Sequence, residues 1–192
     1  MPPLILASTS RYRRALLERL GLPFTAVAPS CDEEALKDPA LPPQALAERL
    51  AAMKATTTAA AHPGCVVIGS DQVCALGDEL LHKPGTAARA VDQLLRLSGR
   101  EHRLITAVAV VHPGGLRRHT DITTLAMRPL DRAALERYVA VDQPLDCAGA
   151  YKLECRGITL FKRIESQDQT AIVGLPLMAL TAILAELGYV VP

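Results

Sequence analysis

The stretch ILASTSRYRRALLERLGLPF, residues 5–24, places a strand, a polar turn and a helix in direct succession. Residues 4–6 are apolar and predict a buried strand, and residues 10–20 repeat leucine along one face of a helix. Ser8 or Ser10 is placed to cap the start of that helix. A strand followed at once by an amphipathic helix is typical of α/β proteins.

The predicted helix begins with an unusual charge pattern, because Arg11, Arg13 and Arg14 crowd its first turn. The start of a helix carries partial positive charge and favours acidic residues. A serine-rich turn before a helix also offers N–H groups and hydroxyls to an anion, and guanidinium pairs bidentately with phosphate. The residues alone leave two interpretations open: a phosphate site or a solvated basic face.

Composition excludes several classes of protein. The 192 residues carry 21 Lys+Arg against 20 Asp+Glu, which argues against broad binding to polymeric nucleic acid or to an anionic membrane. No apolar run reaches the roughly 20 residues of a membrane span, and the first residues lack the basic region of a signal peptide. The five cysteines include no C-x-x-C pair, which favours reduced thiols and a cytoplasmic location.

The rest of the chain alternates between helical and strand patterns. A loop is predicted at 29–43, and helices are predicted at 44–60, 86–97, 131–139 and 174–187. Thr86 and Asp131 are candidate caps for two of these helices. A buried strand at 65–68 precedes a polar break and a second apolar run, and two further strands flank a turn at 112–115. Early alternation followed by strand pairing predicts a mixed α/β fold.

The stretch VVIGSDQV, residues 66–73, brings polar residues to the predicted carboxyl end of a buried strand. Ligands of α/β sheets bind beyond the carboxyl ends of strands. Asp71 is therefore a candidate for metal binding or for activating a water molecule, with an Asx-turn as the alternative. Lys83 lies nearby before a proline and is either aimed at the same site or exposed.

A third stretch, residues 145–177, mixes charge with glycine in the sequence LDCAGAYKLECRGITLFKRIESQDQTAIVGLPL. This composition is typical of a phosphate and metal pocket and equally of an exposed loop. Its candidate residues are Lys152, Glu154, Lys162, Glu165 and Asp168.

An ordered set of segments carries a family resemblance: LASTSRYRRALL, CDEE at 31–34, Lys54, IGSDQV, HKP, SG at 98–99, CAGAYKLECRGITLFKRIES and VGLPL. Together they resemble the Maf family of nucleoside triphosphate pyrophosphatases over residues 4–178. The resemblance implies one domain over residues 1–192, with an inosine triphosphate pyrophosphatase-like fold. Such a fold is an elongated mixed sheet flanked by helices, with a deep cleft between two lobes. It also implies a homodimer, a divalent cation (Mg²⁺ or Mn²⁺) and cleavage of a nucleotide to its monophosphate and pyrophosphate.

Roles follow from the resemblance by matching positions. Asp71 matches the family's general base, and Glu33 with Asp71 matches its metal site. The matched phosphate-binding positions are Ser8, Arg13, Lys54 and Lys83. The chain departs from many relatives at Cys31 and His82, where valine and glycine are common.

Three positions resemble the 7-methyl-GTP branch of the family: Tyr12, Gln72 and Glu154. The dTTP/UTP branch has arginine, threonine and glutamine there. An aromatic face attracts the cationic methylated guanine, and a carboxylate accepts hydrogen bonds from guanine N–H groups. Two alternatives remain open: dTTP/UTP hydrolysis on the same scaffold, and a nucleotide-binding regulator of cell division with little turnover.

Overall fold

The computed structural model describes residues 1–31 and 41–191. Within these ranges the fold is a mixed sheet with helices. The strands within these ranges are β1 (Leu4–Ala7), β2 (Phe24–Val27), β3 (Val66–Leu76), β4 (Glu79–Leu81), β5 (Glu101–His112), β6 (Gly115–Met127) and β7 (Phe161–Glu165). They form a seven-stranded sheet in the order β2-β1-β3-β5-β6-β7, with β4 paired to β3. The predicted mixed α/β class is confirmed.

The helices in the same ranges are α1 (Arg11–Glu18), α2 (Pro43–Ala61), α3 (Ala87–Leu97), α4 (Arg132–Asp142), α5 (Gln169–Val173) and α6 (Leu177–Glu186), with a 3-10 helix at Arg156–Leu160. Side chains cap three of these helices as predicted: Ser10 caps α1, Thr86 caps α3 and Asp131 caps α4. In the described part of the chain, no helix is both long enough and apolar enough to cross a membrane.

The chain divides into two compact units. The first contains Met1–Gln72, Thr106–Asp121 and Asp168–Pro192, and the second contains Val73–Ile105 and Ile122–Gln167. Strands β3, β5 and β6 each contribute residues to both units. A single domain with a cleft between two lobes stays a prediction.

In the first unit, β1 runs parallel to both of its neighbours, β2 and β3. Its side chains alternate between two apolar clusters because successive residues of a strand point to opposite faces. Leu4 and Leu6 pack in the larger cluster with residues of α1 and α6, whereas Ile5 and Ala7 pack in the smaller. The strand is buried along its whole length, and the chain leaves it at Ser8.

In the second unit, the rings of His102, Tyr151 and Phe161 pack together, and Tyr151 lies beside the buried thiol of Cys74. Tyr151 meets Phe161 edge-on with ring centroids 4.9 Å apart, and His102 Nε2 lies 2.9 Å from Tyr151 Oη. Burial raises the pKa of Cys74 to about 12 and lowers the pKa of His102 to about 4. Both side chains are therefore neutral parts of the core near pH 7.

Two sequence predictions were wrong in ways that affect the site. The break predicted after residue 68 does not exist, because β3 continues through Ser70, Asp71 and Gln72 to Leu76. These polar residues stay in the strand because other parts of the fold satisfy their side chains, as described below. They therefore lie within the strand and not at its carboxyl end.

The other wrong prediction concerns only the start of the last helix, predicted at 174–187. The helix α6 begins at Leu177, and a separate short helix, α5, ends at Val173 just before Gly174, whose φ of 122° a side chain rarely adopts. Helix α4 also continues past its predicted end at Val139 to Asp142. Most of the predicted loop at 29–43 lies outside the described residues.

Candidate active site

The centre of the candidate site is an ion pair between neighbouring elements. Lys54 Nζ on α2 lies 2.6 Å from Asp71 Oδ1 on β3. Both residues are buried, with exposed fractions of 5% and 8%. Burying one such charge without a partner is strongly unfavourable, and the pairing compensates both.

A glycine lets these two elements approach closely. A Cβ at Gly69 would lie 2.4 Å from the carbonyl oxygen of Ala51 and 2.6 Å from the amide nitrogen of Ala55. Only glycine therefore fits where the backbone of α2 contacts β3. Lys54 lies on the helix turn between these two alanines, opposite Asp71, so the contact at Gly69 helps to set the geometry of the ion pair.

The serines of the turn before α1 accept hydrogen bonds from the turn's own N–H groups. Ser8 Oγ accepts a hydrogen bond from the Ser10 N–H at 3.1 Å, and Ser10 Oγ accepts one from the Arg13 N–H at 3.4 Å. The register pairs Ala7 with Gly69, so Ser8 follows β1 near the level at which β3 presents its polar residues. The first turn of α1 contains no acidic residue.

The three arginines at this helix start have three different surroundings. Arg13 Nε donates to the Gly174 carbonyl at 2.8 Å, which ties α1 to the end of α5. Arg11 lies over the Tyr12 ring, 4.8 Å from its centroid, and its Nη2 donates to the Tyr12 hydroxyl at 2.7 Å. Arg14 forms an exposed pair with Glu18. Arg13 is the arginine that the fold anchors most firmly.

The polar residues flanking Asp71 hold the chain around Gly174. Ser70 Oγ lies 2.9 Å from the Ala107 carbonyl oxygen and 3.0 Å from that of Gly174. Gln72 Nε2 donates to Thr106 Oγ1 and to the carbonyl groups of Ala171 and Ile172, at 2.9, 2.9 and 3.0 Å. Thr106 and Gly174 were not identified from the sequence as parts of the site. The glycine within VGLPL was the only signal.

Two predicted site residues, Lys83 and Glu154, belong to the second unit. Both are exposed. His82, where many relatives have glycine, has no positive φ, so a side chain is accommodated there without backbone strain. Its carbonyl group accepts a hydrogen bond of 2.8 Å from Gln93 Nε2.

The turn that carries Glu154 is braced on both sides. Lys152 Nζ donates to the carbonyl oxygens of Asp142 and Gln143 at the end of α4, at 2.8 and 3.0 Å. Gly157 follows the turn, and a Cβ there would lie 2.3 Å from the Lys152 carbonyl oxygen. Lys152 therefore acts as a helix-terminal anchor within this unit.

Asp168, another candidate from the glycine-rich stretch, caps helices. Its Oδ1 accepts from the Thr170 N–H and its Oδ2 accepts from the Met178 N–H, each at 2.8 Å. The carboxylate thereby links the starts of α5 and α6. Glu165 pairs with Arg163 on β7.

The predicted metal site is only partly described. Asp71 is in place, and Glu33 lies outside the described residues. Within residues 1–31 and 41–191, no three His, Cys, Asp or Glu side chains cluster closely enough to hold a metal ion. A metal bound at Asp71 would need ligands from elsewhere, such as phosphate oxygens.

The fold is α/β, and its candidate site is centred on a buried Asp–Lys pair between α2 and β3. A sequence profile described as Maf-like protein matches residues 3–187, and the chain belongs to this family. It is 51% identical to a 7-methyl-GTP pyrophosphatase of Bdellovibrio bacteriovorus, over 94% of this chain and 95% of that protein. Proteins of the same name from Xanthomonas campestris pv. campestris and Pseudomonas putida are 50% and 45% identical over the full length of both chains.

Proposed function

We propose that this protein hydrolyses 7-methyl-GTP to 7-methyl-GMP and pyrophosphate. The full-length similarity to proteins named 7-methyl-GTP pyrophosphatase supports the reaction. The observation that carries the proposal is the buried ion pair of Lys54 and Asp71, 2.6 Å apart, because it brings together a carboxylate and a cation, the two kinds of group that the proposed hydrolysis uses.

In the proposed mechanism, Asp71 is the general base. Its carboxylate accepts a proton from the attacking water as the water oxygen bonds to the α-phosphorus. The bond from the α-phosphorus to the bridging oxygen breaks, and the electron pair leaves with pyrophosphate. The remaining product is 7-methyl-GMP.

The triphosphate is held by groups from several elements. The positive start of α1, the Ser8 hydroxyl and the Arg13 guanidinium together suit phosphate oxygens. Lys54 is placed to move its ammonium group between Asp71 and a phosphate. Lys83 is a further proposed phosphate ligand.

A divalent cation, Mg²⁺ or Mn²⁺, fits the donor set when phosphate is present. Asp71 supplies a hard oxygen ligand, and Mg²⁺ is commonly held by one or two carboxylates together with substrate phosphates. When bound, the cation would offset charge on the phosphate oxygens. Glu33 is the second proposed ligand. Turnover that persists in excess chelator would exclude this role.

Base selectivity is assigned to Tyr12 and Glu154. The Tyr12 ring stacks against one cation, the Arg11 guanidinium, at 4.8 Å, and a positively charged base would have to displace Arg11 or stack on the opposite face. Glu154 lies on a braced turn, where a carboxylate accepts hydrogen bonds from guanine N–H groups. A thymine or uracil edge would present a carbonyl group to that carboxylate and be repelled.

A panel of nucleoside triphosphates tests the proposal, with pyrophosphate release as the readout. We expect kcat/KM to be highest for 7-methyl-GTP, lower for GTP and lowest for dTTP and UTP. A higher kcat/KM for dTTP or UTP than for 7-methyl-GTP would mean that the protein has the specificity of the dTTP/UTP branch of its family. Binding of nucleotides with no turnover of any of them would indicate a regulator and contradict the enzymatic proposal.

A further inference from the structure

A chain of hydrogen bonds leads from β3 and β5 to the end of α5. Gln72 Nε2 donates to Thr106 Oγ1, and Thr106 Oγ1 donates in turn to the Ala171 carbonyl at 2.8 Å. Gln72 Nε2 also reaches the carbonyl oxygens of Ala171 and Ile172. Three acceptors surrounding one atom define it as the amide nitrogen and so fix the orientation of the carboxamide.

These bonds satisfy carbonyl groups at a helix terminus. The last carbonyl groups of a helix lack partners within it and carry partial negative charge. At the end of α5 the Ala171 carbonyl accepts from the Gly174 N–H and from the side chains of Gln72 and Thr106. The carbonyl of Gly174, just beyond the helix, receives the Arg13 Nε–H at 2.8 Å. The orientation of Arg13 therefore depends on where residues 171–174 are held.

We propose that Thr106 and Gln72 are positioning residues for Arg13: they hold residues 171–174 so that the Gly174 carbonyl orients the guanidinium towards the triphosphate. This inference rests on the proposed function, in which Arg13 binds phosphate. It gives Thr106 a role in the reaction. It also gives the Gln72 side chain a role that needs no contact between its amide nitrogen and the base. Ser70 supports the same carbonyl from the other side.

Of the two residues, Thr106 gives the clearer test because it is buried. It is 1% exposed, so its hydroxyl cannot touch a nucleotide, and any effect of its removal must pass through its neighbours. Thr106→Val keeps the shape and removes the hydroxyl, and Gln72→Met keeps the length and removes the amide. Thr123→Val is a matched control: Thr123 is also 1% exposed, and its hydroxyl donates to Ser166 in the second unit.

The test uses inorganic tripolyphosphate with Mg²⁺, a probe that has phosphate groups and no base. Calorimetry should show that Thr106→Val and Gln72→Met each weaken its binding by about 3- to 10-fold, as expected for one lost hydrogen bond at a positioned group. Thr123→Val should change the affinity less than about twofold. In an Arg13→Ala background, Thr106→Val should cause less than about a twofold further loss, because no guanidinium remains to be positioned.

The substrate ratios provide the second readout. If both residues act through Arg13, the ratio of kcat/KM for 7-methyl-GTP to that for GTP stays unchanged in Thr106→Val and Gln72→Met. An altered ratio with unchanged tripolyphosphate affinity would make Gln72 a reader of the base and overturn the inference. Equal losses in the presence and absence of Arg13, or no binding of tripolyphosphate to the parent, would also overturn it. If the parent binds tripolyphosphate and the variants lose affinity as expected, but the parent prefers another nucleotide, only the proposed substrate is refuted.

Discussion

Lys54 and Asp71 form a nearly buried ion pair, 2.6 Å between Nζ and Oδ1, across the contact of α2 with β3. The helix supplies the cation and the central strand supplies the carboxylate. Because Gly69 allows the two backbones to meet, the pair depends on tight packing as well as on charge. The proposed catalytic pair thus depends on the packing of α2 against β3.

Replacing Asp71 by asparagine should abolish turnover and leave nucleotide binding. The amide keeps the size of the carboxylate and loses the base, which contributes roughly 10²- to 10⁴-fold to rate. The measurement is kcat at saturating metal, with nucleotide affinity measured by calorimetry. If the variant turns over within a few-fold of the parent, Asp71 is not the base.

Substitution of Gly69 by alanine should damage both stability and activity. The new Cβ would lie 2.4 Å from the Ala51 carbonyl oxygen, so α2 must shift and carry Lys54 with it. Overpacking of this kind typically costs about 1–3 kcal/mol in the free energy of unfolding, and we expect a parallel loss in kcat/KM.

Gly114 provides the matched control for this substitution. A Cβ there meets only atoms of the half-buried His112 ring, at 3.0 and 3.2 Å, and the end of a side chain gives way more easily than the backbone of a helix. Gly114→Ala should lower the free energy of unfolding by less than about 1 kcal/mol, because at most the hydrogen bond from its N–H to His112 is lost. Equal effects of the two substitutions would show that the close contact at Gly69 is unimportant.

Stability should fall in mild acid because of His102. Burial holds the pKa of His102 at about 4, against 6.5 for the free side chain, and its Nδ1 has no hydrogen-bond partner in the described residues. The unfolded chain therefore takes up a proton as the pH falls through 6.5, while the folded protein does so only near pH 4. The stability associated with the neutral ring is present above pH 6.5 and is lost progressively as the pH falls towards 4.

The expected loss is about 2 kcal/mol between about pH 7.5 and about pH 5. Urea unfolding at both pH values measures it, in the parent and in His102→Gln, which cannot titrate. The acid-induced loss should shrink in His102→Gln and persist in His82→Gln, a control at an exposed histidine. A loss of the same size in all three proteins would assign the effect to other groups.

Base preference should respond separately to Tyr12 and Glu154. Glu154→Gln should reduce the preference for 7-methyl-GTP over dTTP roughly tenfold, since it replaces a charged acceptor with an amide. Tyr12→Leu should reduce the ratio of 7-methyl-GTP to GTP about threefold, and Tyr12→Phe, which keeps the aromatic face, should preserve most of it. The measurement is kcat/KM for each nucleotide. Unchanged ratios in Glu154→Gln and Tyr12→Leu would remove both residues from base recognition.

Local patterns in the sequence predicted most of the helices and the fold class. Caps at Ser10, Thr86 and Asp131 and the leucine spacing of α1 act over short distances, so they can be read from neighbouring residues. The continuity of β3 could not be predicted in this way. Ser70 and Asp71 remain in the strand because their partners, Gly174 and Lys54, come from distant parts of the chain.

The same limit applies to the candidate site. The resemblance to a family identified Asp71, Lys54 and Arg13, but it implied nothing about Thr106. The role of Thr106 arises from a hydrogen bond to Ala171, 65 residues away along the chain. The metal at Glu33 and Asp71, the homodimer and the cytoplasmic location stay predictions.

Hydrolysis of 7-methyl-GTP in ¹⁸O-labelled water tests the central claim most directly. If Asp71 directs water to the α-phosphorus, the label appears in 7-methyl-GMP, and pyrophosphate is released unlabelled in a single step. Mass spectrometry of both products at low conversion distinguishes the possible positions of attack. Label in inorganic phosphate, with 7-methyl-GDP as the other product, would mean attack at the γ-phosphorus and would contradict the proposed reaction.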